Sequence, residues 1–139
     1  MSRYQVQLGV EMTPMVKKLL IINVAVWFLA VLIGQQMILD EPYVFQWFGL
    51  VPAEMFNHFL LWQPVTYMFL HSTSIFHIVF NMLTLWWLGA DLEQRWGSSF
   101  FLLYYMVCGV GAGLIYLIGV FAYFLFTRDV LPLQVPVIG

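Results

Sequence analysis

Two hydrogen-bonding side chains, His77 and Asn81, stand inside an apolar run that starts near Ile75. Residues four apart on an α-helix leave from nearly the same face, so this spacing aims an imidazole and a carboxamide at one place. At membrane depth a polar group needs a partner or a wet cavity, because hydrocarbon offers it no hydrogen bond. The pair therefore predicts the wall of a site that can hold a polar group.

A structural role is the alternative for this pair, because each side chain could bond a neighbouring helix and do nothing more. A zinc site built from His58, His71 and His77 is another, but no H-E-x-x-H spacing supports it. His71 precedes His77 by six residues, which places the two about 120° apart on a continuous helix. This spacing does not favour a metal site. The hydroxyl residues 72–74 predict a helix start with a side-chain N-cap.

The composition indicates an integral membrane protein. Of the 139 residues, 63% are hydrophobic and only 9% are charged, and the mean hydropathy is +0.88. Soluble domains carry about 25% charged residues, so a soluble fold is excluded. The sequence has no basic patch that could neutralise phosphates, so we predict no nucleic-acid partner. Cys108 is the single cysteine, which leaves no intrachain disulfide.

Three apolar runs must position the polar pair, and each reaches the ~20 residues that cross hydrocarbon as a helix. We predict an all-α, polytopic helical membrane protein with a single domain, divided into a tail (1–18), a first transmembrane helix (19–39), an interfacial loop (40–70), a second helix (75–93), a third helix (98–127) and a closing loop (130–139). The first loop is rich in aromatic rings and carries Asp40, Glu41 and Glu54, which is typical of short pieces sunk in the membrane interface. Gly109-x-x-x-Gly113 in the third run fits close helix packing.

The basic residues predict the orientation of this arrangement. Arg3, Lys17, Lys18 and Arg95 fall on one side of a three-crossing chain, and only Arg128 falls on the other. The positive-inside rule then places the N-terminus in the cytoplasm. The aromatic loop, the closing segment and the polar pair share the opposite side.

One long stretch, TYMFLHSTSIFHIVFNMLTLWWLGADLEQRWGSSFFLLYY, with Leu61-Trp62-Gln63-Pro64 ahead of it, resembles the start of the rhomboid intramembrane serine proteases. The likeness is close over about Trp62 to Gly113. Its most specific part is the His-x-x-x-Asn helix followed by Gly89-x-x-x-Glu93-x-Arg95-x-Gly97.

The resemblance implies roles for particular residues. His77 and Asn81 fall on the family's oxyanion-stabilising histidine and asparagine, which agrees with donors placed where charge develops on an attacked carbonyl. Glu93 and Ser98 resemble a hydrogen-bonded anchor between helix ends, a structural role that Gly97 and Trp62 share. The family often has arginine where this chain has Gln63, and His71 lies one residue further from the next histidine than in many relatives.

The nucleophile of such a protease is absent from this chain. Rhomboids carry it in a Gly-x-Ser-Gly turn and the histidine base on a later helix, whereas the serines here are Ser2, Ser72, Ser74, Ser98 and Ser99. The ending Pro136-Val137-Ile138-Gly139 resembles the approach to that turn, with Gly139 as its first glycine. We therefore expect the N-terminal part of a longer rhomboid, inactive by itself because acylation needs nucleophile and base.

The family resemblance implies that the intact protein is a serine endopeptidase of a bacterial inner (plasma) membrane, and that it needs no metal and no organic cofactor. Its partners would be the lipid bilayer, a transmembrane protein substrate and the remaining rhomboid helices. Two alternatives compete with this reading: a rhomboid-like pseudoprotease that holds transmembrane clients without cutting them, and a small helical scaffold that is complete at 139 residues.

Overall fold

The structure is a computed structural model that describes residues 11–38 and 43–139, with backbone only at 35–38. Arg3, Asp40 and Glu41, which entered the sequence predictions, lie outside the described residues, as does residue 39 at the end of the predicted first helix. The helices, numbered in chain order, are α1 (Pro14–Val26, continued by π-helical turns over Trp27–Ile38), α2 (Tyr43–Phe48), α3 (Pro52–His58), α4 (Gln63–Thr66, followed by the 3-10 turn Tyr67–Phe69), α5 (Ile75–Trp96), α6 (Ser98–Thr127) and α7 (Leu131–Gln134).

Three helices are long and apolar enough to cross a membrane: Pro14–Gly34, Ile75–Trp96 and Ser98–Thr127. The prediction of an all-helical polytopic membrane protein is thereby confirmed for the described residues, which contain only one isolated β-bridge. At 1.5 Å per residue, the 30 residues of α6 make a rod of about 45 Å, longer than the hydrocarbon is thick.

The first helix begins at Pro14, ahead of the apolar run predicted to start at residue 19. Proline suits this position, because its fixed φ matches the helix and its missing N–H would have had no partner there. The next two N–H groups, those of Met15 and Val16, donate to the carboxylate of Glu93 on α5. A side chain from another helix thus caps α1, in a place where its own sequence provides no acid.

Gly97 alone joins α5 to α6. Its φ of +80° lies in the region that favours glycine, and its N–H closes α5 by donating to the carbonyl of Glu93 at 2.8 Å. The carbonyl of Gly97 then accepts from Phe101 at 3.0 Å, so the same residue opens α6. This tight link makes α5 and α6 neighbours along the membrane.

The short helices of the interfacial loop are fastened to one another by side chains. Three side chains from α4 and the residue before it donate to the last carbonyls of α2: Trp62 Nε1 to Trp47 (2.9 Å), Gln63 Nε2 to Gln46 (2.8 Å) and Thr66 Oγ1 to Phe48 (2.7 Å). Gln63 is fully buried, and its Oε1 also accepts from the N–H of Val51 at 3.0 Å. Gln63 therefore braces the interfacial loop through both ends of its amide.

Gly109 and Gly113 allow a close approach, but to the loop and not to another spanning helix. A Cβ on Gly109 would lie 2.0 Å from Cε of Met68, and one on Gly113 would lie 2.9 Å from the ring of Tyr67. The hydroxyl of Tyr67 donates to the carbonyl of Gly109 at 2.5 Å. The 3-10 turn Tyr67–Phe69 therefore packs against these two glycines of α6, where the spacing had led us to expect close packing of another membrane helix.

Candidate functional site

The segment before α5 brings the predicted site residues to the end of that helix. The helix begins at Ile75 with Ser74 at the N-cap position, as the hydroxyl cluster predicted. The predicted side-chain cap is absent, however, since the Ser74 hydroxyl makes no capping bond and its carbonyl accepts from the N–H of His77 at 3.1 Å. The helix start is therefore set by backbone, and the neighbouring hydroxyl of Ser72 is used elsewhere.

Ser72 and His77 form a hydrogen bond of 2.8 Å between the serine Oγ and the imidazole Nδ1. The ring of His71 stands edge-on to that of His77, with centroids 5.6 Å apart. The expectation that the two histidines lie about 120° apart assumed a continuous helix, whereas the backbone is extended at Leu70 and Ser74. We call His71, Ser72 and His77 the histidine cluster.

His71 is the buried member of the histidine cluster, with 3% of its surface exposed. Burial lowers its pKa below the usual value, the nearby His77 lowers the pKa further, and the carbonyl of Phe69 opposes both. His71 is therefore neutral at pH 7 and places its one proton on Nδ1, 3.3 Å from the carbonyl oxygen of Phe69. The cluster is tied to α1, because Trp27 Nε1 donates to the carbonyl of Ser72 at 2.9 Å.

Asn81 lies one turn beyond His77 and is half-buried. Within the part of the chain that the structure describes, its carboxamide has no hydrogen-bond partner, and the same holds for Nε2 of His77. Thr84, Leu85 and Leu88 continue the stripe of α5 that Asn81 begins, at the 3-4 spacing of one helix face. The unbonded Nε2 of His77 and the unbonded carboxamide of Asn81 thus stand at one end of this face.

This face lines a cavity of about 460 Å³ between α5 and α6, which we call the α5–α6 groove. Its walls are almost entirely apolar: Thr84, Leu85, Leu88, Gly89 and Leu92 from α5, Phe101, Tyr104, Tyr105, Cys108 and Gly109 from α6, and Tyr67, Met68 and Gly139 at its rim. An apolar trough of this kind, with polar donors further along the same helix face, suits a hydrophobic helix that brings a polar group to the donors.

Gly139 lies at the rim of the groove because the closing segment is hydrogen-bonded to the interfacial loop. Leu50 and Val137 exchange two backbone hydrogen bonds of 2.9 and 3.0 Å, and the N–H of Gly139 donates to the carbonyl of Tyr67 at 2.9 Å. A Cβ on Gly139 would lie 2.8 Å from the carbonyl oxygen of Met68, so only glycine fits here without a shift. The structure brings Gly139 to the groove, and it records no contact between Gly139 and His77 or Asn81.

The residues that the resemblance assigned to structure lie at the other end of α5 or in the loop. Glu93 is 3% exposed, and its carboxylate accepts hydrogen bonds from Thr13 Oγ1, from the N–H groups of Met15 and Val16 at 2.9 Å, and from Ser98 Oγ at 2.5 Å. One side chain thus joins the starts of α1 and α6 to the end of α5. Trp62 braces the loop through its indole N–H, as described above.

The sequence analysis did not predict the hydrogen bonds made by two residues, Thr13 and Ser72. Thr13 directly precedes Pro14 at the start of α1, a pattern that signals a helix N-terminus and could have been recognised. Ser72 was expected to be a possible helix cap, and no sequence pattern indicated that its hydroxyl would bond His77, five residues later. Within residues 11–38 and 43–139 no group of three or more His, Cys, Asp or Glu side chains is placed to hold a metal, and His58 pairs with Glu54 at 3.4 Å.

Comparison with known proteins shows similarity to rhomboid proteins. The family model described as "Rhomboid domain" matches residues 58–131. Rhomboid protease GlpG of Yersinia pestis (strain Pestoides F) is 27% identical over 100 residues, covering 72% of this chain and 33% of that protein. Rhomboid-like protease 3 of Toxoplasma gondii is 36% identical over 67 residues, covering 48% of this chain and 25% of that protein. The matches span a third or less of these curated relatives, and no solved structure matches the chain.

Proposed function

Because the chain belongs to the rhomboid family, we propose that it supplies the oxyanion-stabilising helix of an intramembrane serine endopeptidase. The observation that carries this proposal is the pair of unbonded polar groups on one face of α5, Nε2 of His77 and the carboxamide of Asn81. With the proton of His77 on Nε2, both groups are donors. Preorganised donors of this kind stabilise the negative oxygen that forms when a nucleophile attacks a peptide carbonyl.

The nucleophile belongs on a helix that packs in the α5–α6 groove. The groove is apolar, as a spanning helix requires, and Gly139 stands at its rim in a position where only glycine fits without a shift. A Gly-x-Ser-Gly turn at this place puts a serine hydroxyl near the polar end of α5, and a histidine on a later helix accepts its proton. Transmembrane proteins are the substrates, and water completes deacylation.

The oxyanion helix cannot run this reaction alone. Donors without a nucleophile and a general base stabilise an intermediate that never forms, so we expect the 139-residue chain to cleave nothing. The membrane in question is a bacterial inner membrane, with the N-terminus in the cytoplasm beside Lys17, Lys18 and Arg95. The histidine cluster and the loop then face the opposite side.

The test is cleavage of a transmembrane substrate in lipid vesicles by the intact protease. His77→Ala and Asn81→Ala should each lower kcat about 100- to 1000-fold, the usual effect of losing one oxyanion donor. Thermal unfolding of the same variants should stay close to wild type. His58→Ala is the matched control, because this exposed histidine pairs with Glu54 on its own short helix and has no other partner among the described residues.

Two results would count against the proposal. Equal losses of activity and stability would indicate that the pair only packs helices. Binding of transmembrane segments with no cleavage by the intact protein would indicate a pseudoprotease that holds its clients.

A further inference from the structure

The tautomer of His77 decides whether it can donate toward a developing oxyanion. A neutral imidazole carries one proton, so one ring nitrogen donates and the other accepts. The hydrogen bond made by one nitrogen sets the role of the other. Nδ1 of His77 lies 2.8 Å from Ser72 Oγ, and Nε2 is the unbonded nitrogen.

The direction of the Ser72–His77 hydrogen bond therefore fixes the chemistry of Nε2. If the hydroxyl donates to Nδ1, the proton stays on Nε2, and Nε2 is a donor. If Nδ1–H donates to the hydroxyl, Nε2 presents a lone pair, which would repel a negative oxygen. A serine hydroxyl can take either part, because it has one donor and two acceptor sites.

The other member of the histidine cluster cannot fix this tautomer. The proton of neutral His71 is on Nδ1, held by the carbonyl of Phe69, and its ring stands edge-on to His77 at 5.6 Å. Across the residues that the structure describes, Ser72 Oγ is the only hydrogen-bond partner of the His77 ring. The backbone of Ser72 is itself anchored, since its carbonyl accepts from the indole N–H of Trp27 at 2.9 Å.

We infer that Ser72 is a positioning residue whose hydroxyl donates to Nδ1 of His77 and so keeps the proton on Nε2. The purpose of this arrangement rests on the proposed function, while the tautomer is a property of the 139-residue chain and is measurable without any catalysis. Ser72 touches no reacting atom in this scheme. It acts only through His77.

The direct test is nitrogen NMR of the chain labelled with 15N-histidine, in micelles, at a pH above the imidazole titration. His77→Gln assigns the signals. Wild type should show an acceptor-type Nδ1 and a proton on Nε2, in a single form. In Ser72→Ala, His77 should lose this single pattern and show a mixture of both tautomers, and Ser72→Thr should restore it because the hydroxyl is kept.

Two controls separate this effect from misfolding. Ser74→Ala removes a neighbouring hydroxyl that forms no capping bond, so it should leave the His77 signals unchanged. The indole N–H signal of Trp27, assigned with Trp27→Phe, reports whether the carbonyl of Ser72 has stayed in place. An unchanged indole signal in Ser72→Ala shows that only the side-chain bond was lost.

An activity measurement on the intact protease gives a second readout. Ser72→Ala should lower kcat about tenfold with KM unchanged, the size of one hydrogen bond of ordinary net strength. Ser72→Thr should recover the rate. In a His77→Ala background, Ser72→Ala should cost nothing more, because the group it positions is gone.

The outcomes distinguish the two proposals. A proton on Nδ1 of His77 in wild type, or a tautomer that Ser72→Ala leaves unchanged, overturns the role of Ser72 and leaves Asn81 as an oxyanion donor. Full cleavage by His77→Ala overturns the oxyanion role of His77, and the tautomer measurement then stands by itself.

Discussion

Removal of the Glu93 carboxylate should destabilise the protein far more than it changes any site chemistry. The carboxylate caps the start of α1 and bonds the start of α6 from the end of α5. In Glu93→Ala, the buried N–H of Val16 and the partly buried N–H of Met15 are left without an acceptor. Thr13 and Ser98 lose a partner as well, but their hydroxyls can rotate toward other acceptors.

The expected loss follows from the two backbone donors. A buried donor deprived of its partner costs about 1–3 kcal/mol, and a partly buried donor costs less, so the two N–H groups together cost up to about 6 kcal/mol. That is a large share of the about 5–15 kcal/mol by which a typical domain is stable. Glu93→Gln should fall between wild type and Glu93→Ala, because the amide keeps one acceptor oxygen but turns an N–H₂ group toward the same donors.

Reversible unfolding in mixed micelles, followed by far-UV circular dichroism, measures this loss. Asp91→Ala is the control on the same helix: its exposed carboxylate pairs with Arg95 at 3.0 Å, and such surface pairs contribute only about 0.2–1 kcal/mol. Hydrogen exchange at Met15 and Val16 locates the effect, since both amides should lose protection in Glu93→Ala.

The reasoning is refuted if Glu93→Ala unfolds within about 1 kcal/mol of the Asp91→Ala control, which is the range of an exposed pair. It is refuted equally by a Glu93→Ala form of the intact protease that is fully folded but no longer cleaves. Such a protein would show that the carboxylate takes part in the reaction and is not an anchor.

Two further predictions concern the interfacial loop. Gln63→Leu should raise hydrogen exchange at the N–H of Val51 and lower stability by about 1–3 kcal/mol, because a buried donor loses its acceptor; unchanged exchange would show that the glutamine is no brace. Gly113→Ala should destabilise the protein by about 1–3 kcal/mol in the same unfolding assay, because the new methyl group presses on the ring of Tyr67. Gly111→Ala is the control and should be neutral or slightly stabilising, because its methyl group meets nothing within 4 Å. Equal effects of the two substitutions would contradict the packing of the loop against Gly113.

The sequence predicted the parts of this molecule that follow from local pattern. The apolar runs gave the fold class, and the His-x-x-x-Asn spacing placed two donors on one face of α5, because a helix fixes the direction of its side chains. Contacts between residues that are distant in the sequence could not be predicted in this way. Nothing in the residues around Gly109 and Gly113 says whether a long helix or a loop fills the space above them.

The histidine cluster illustrates the same limit. The angle between His71 and His77 was worked out for a continuous helix, and extended backbone before Ile75 brought the rings together instead. Gln63 is similar: a polar side chain in a loop is ordinary, and its burial between two backbone groups depends on how α2 and α4 meet. Such placements depend on tertiary geometry, which no short stretch encodes.

Tyr67 holds two separate parts of the protein through two of its groups. Its hydroxyl grips α6 at the carbonyl of Gly109, and its own carbonyl receives the N–H of Gly139. A sideways displacement of the loop must therefore either break one of these links or drag the chain beyond α7 along with it. A lipid or protein that displaces the loop would therefore also displace the backbone at Gly139, at the rim of the groove.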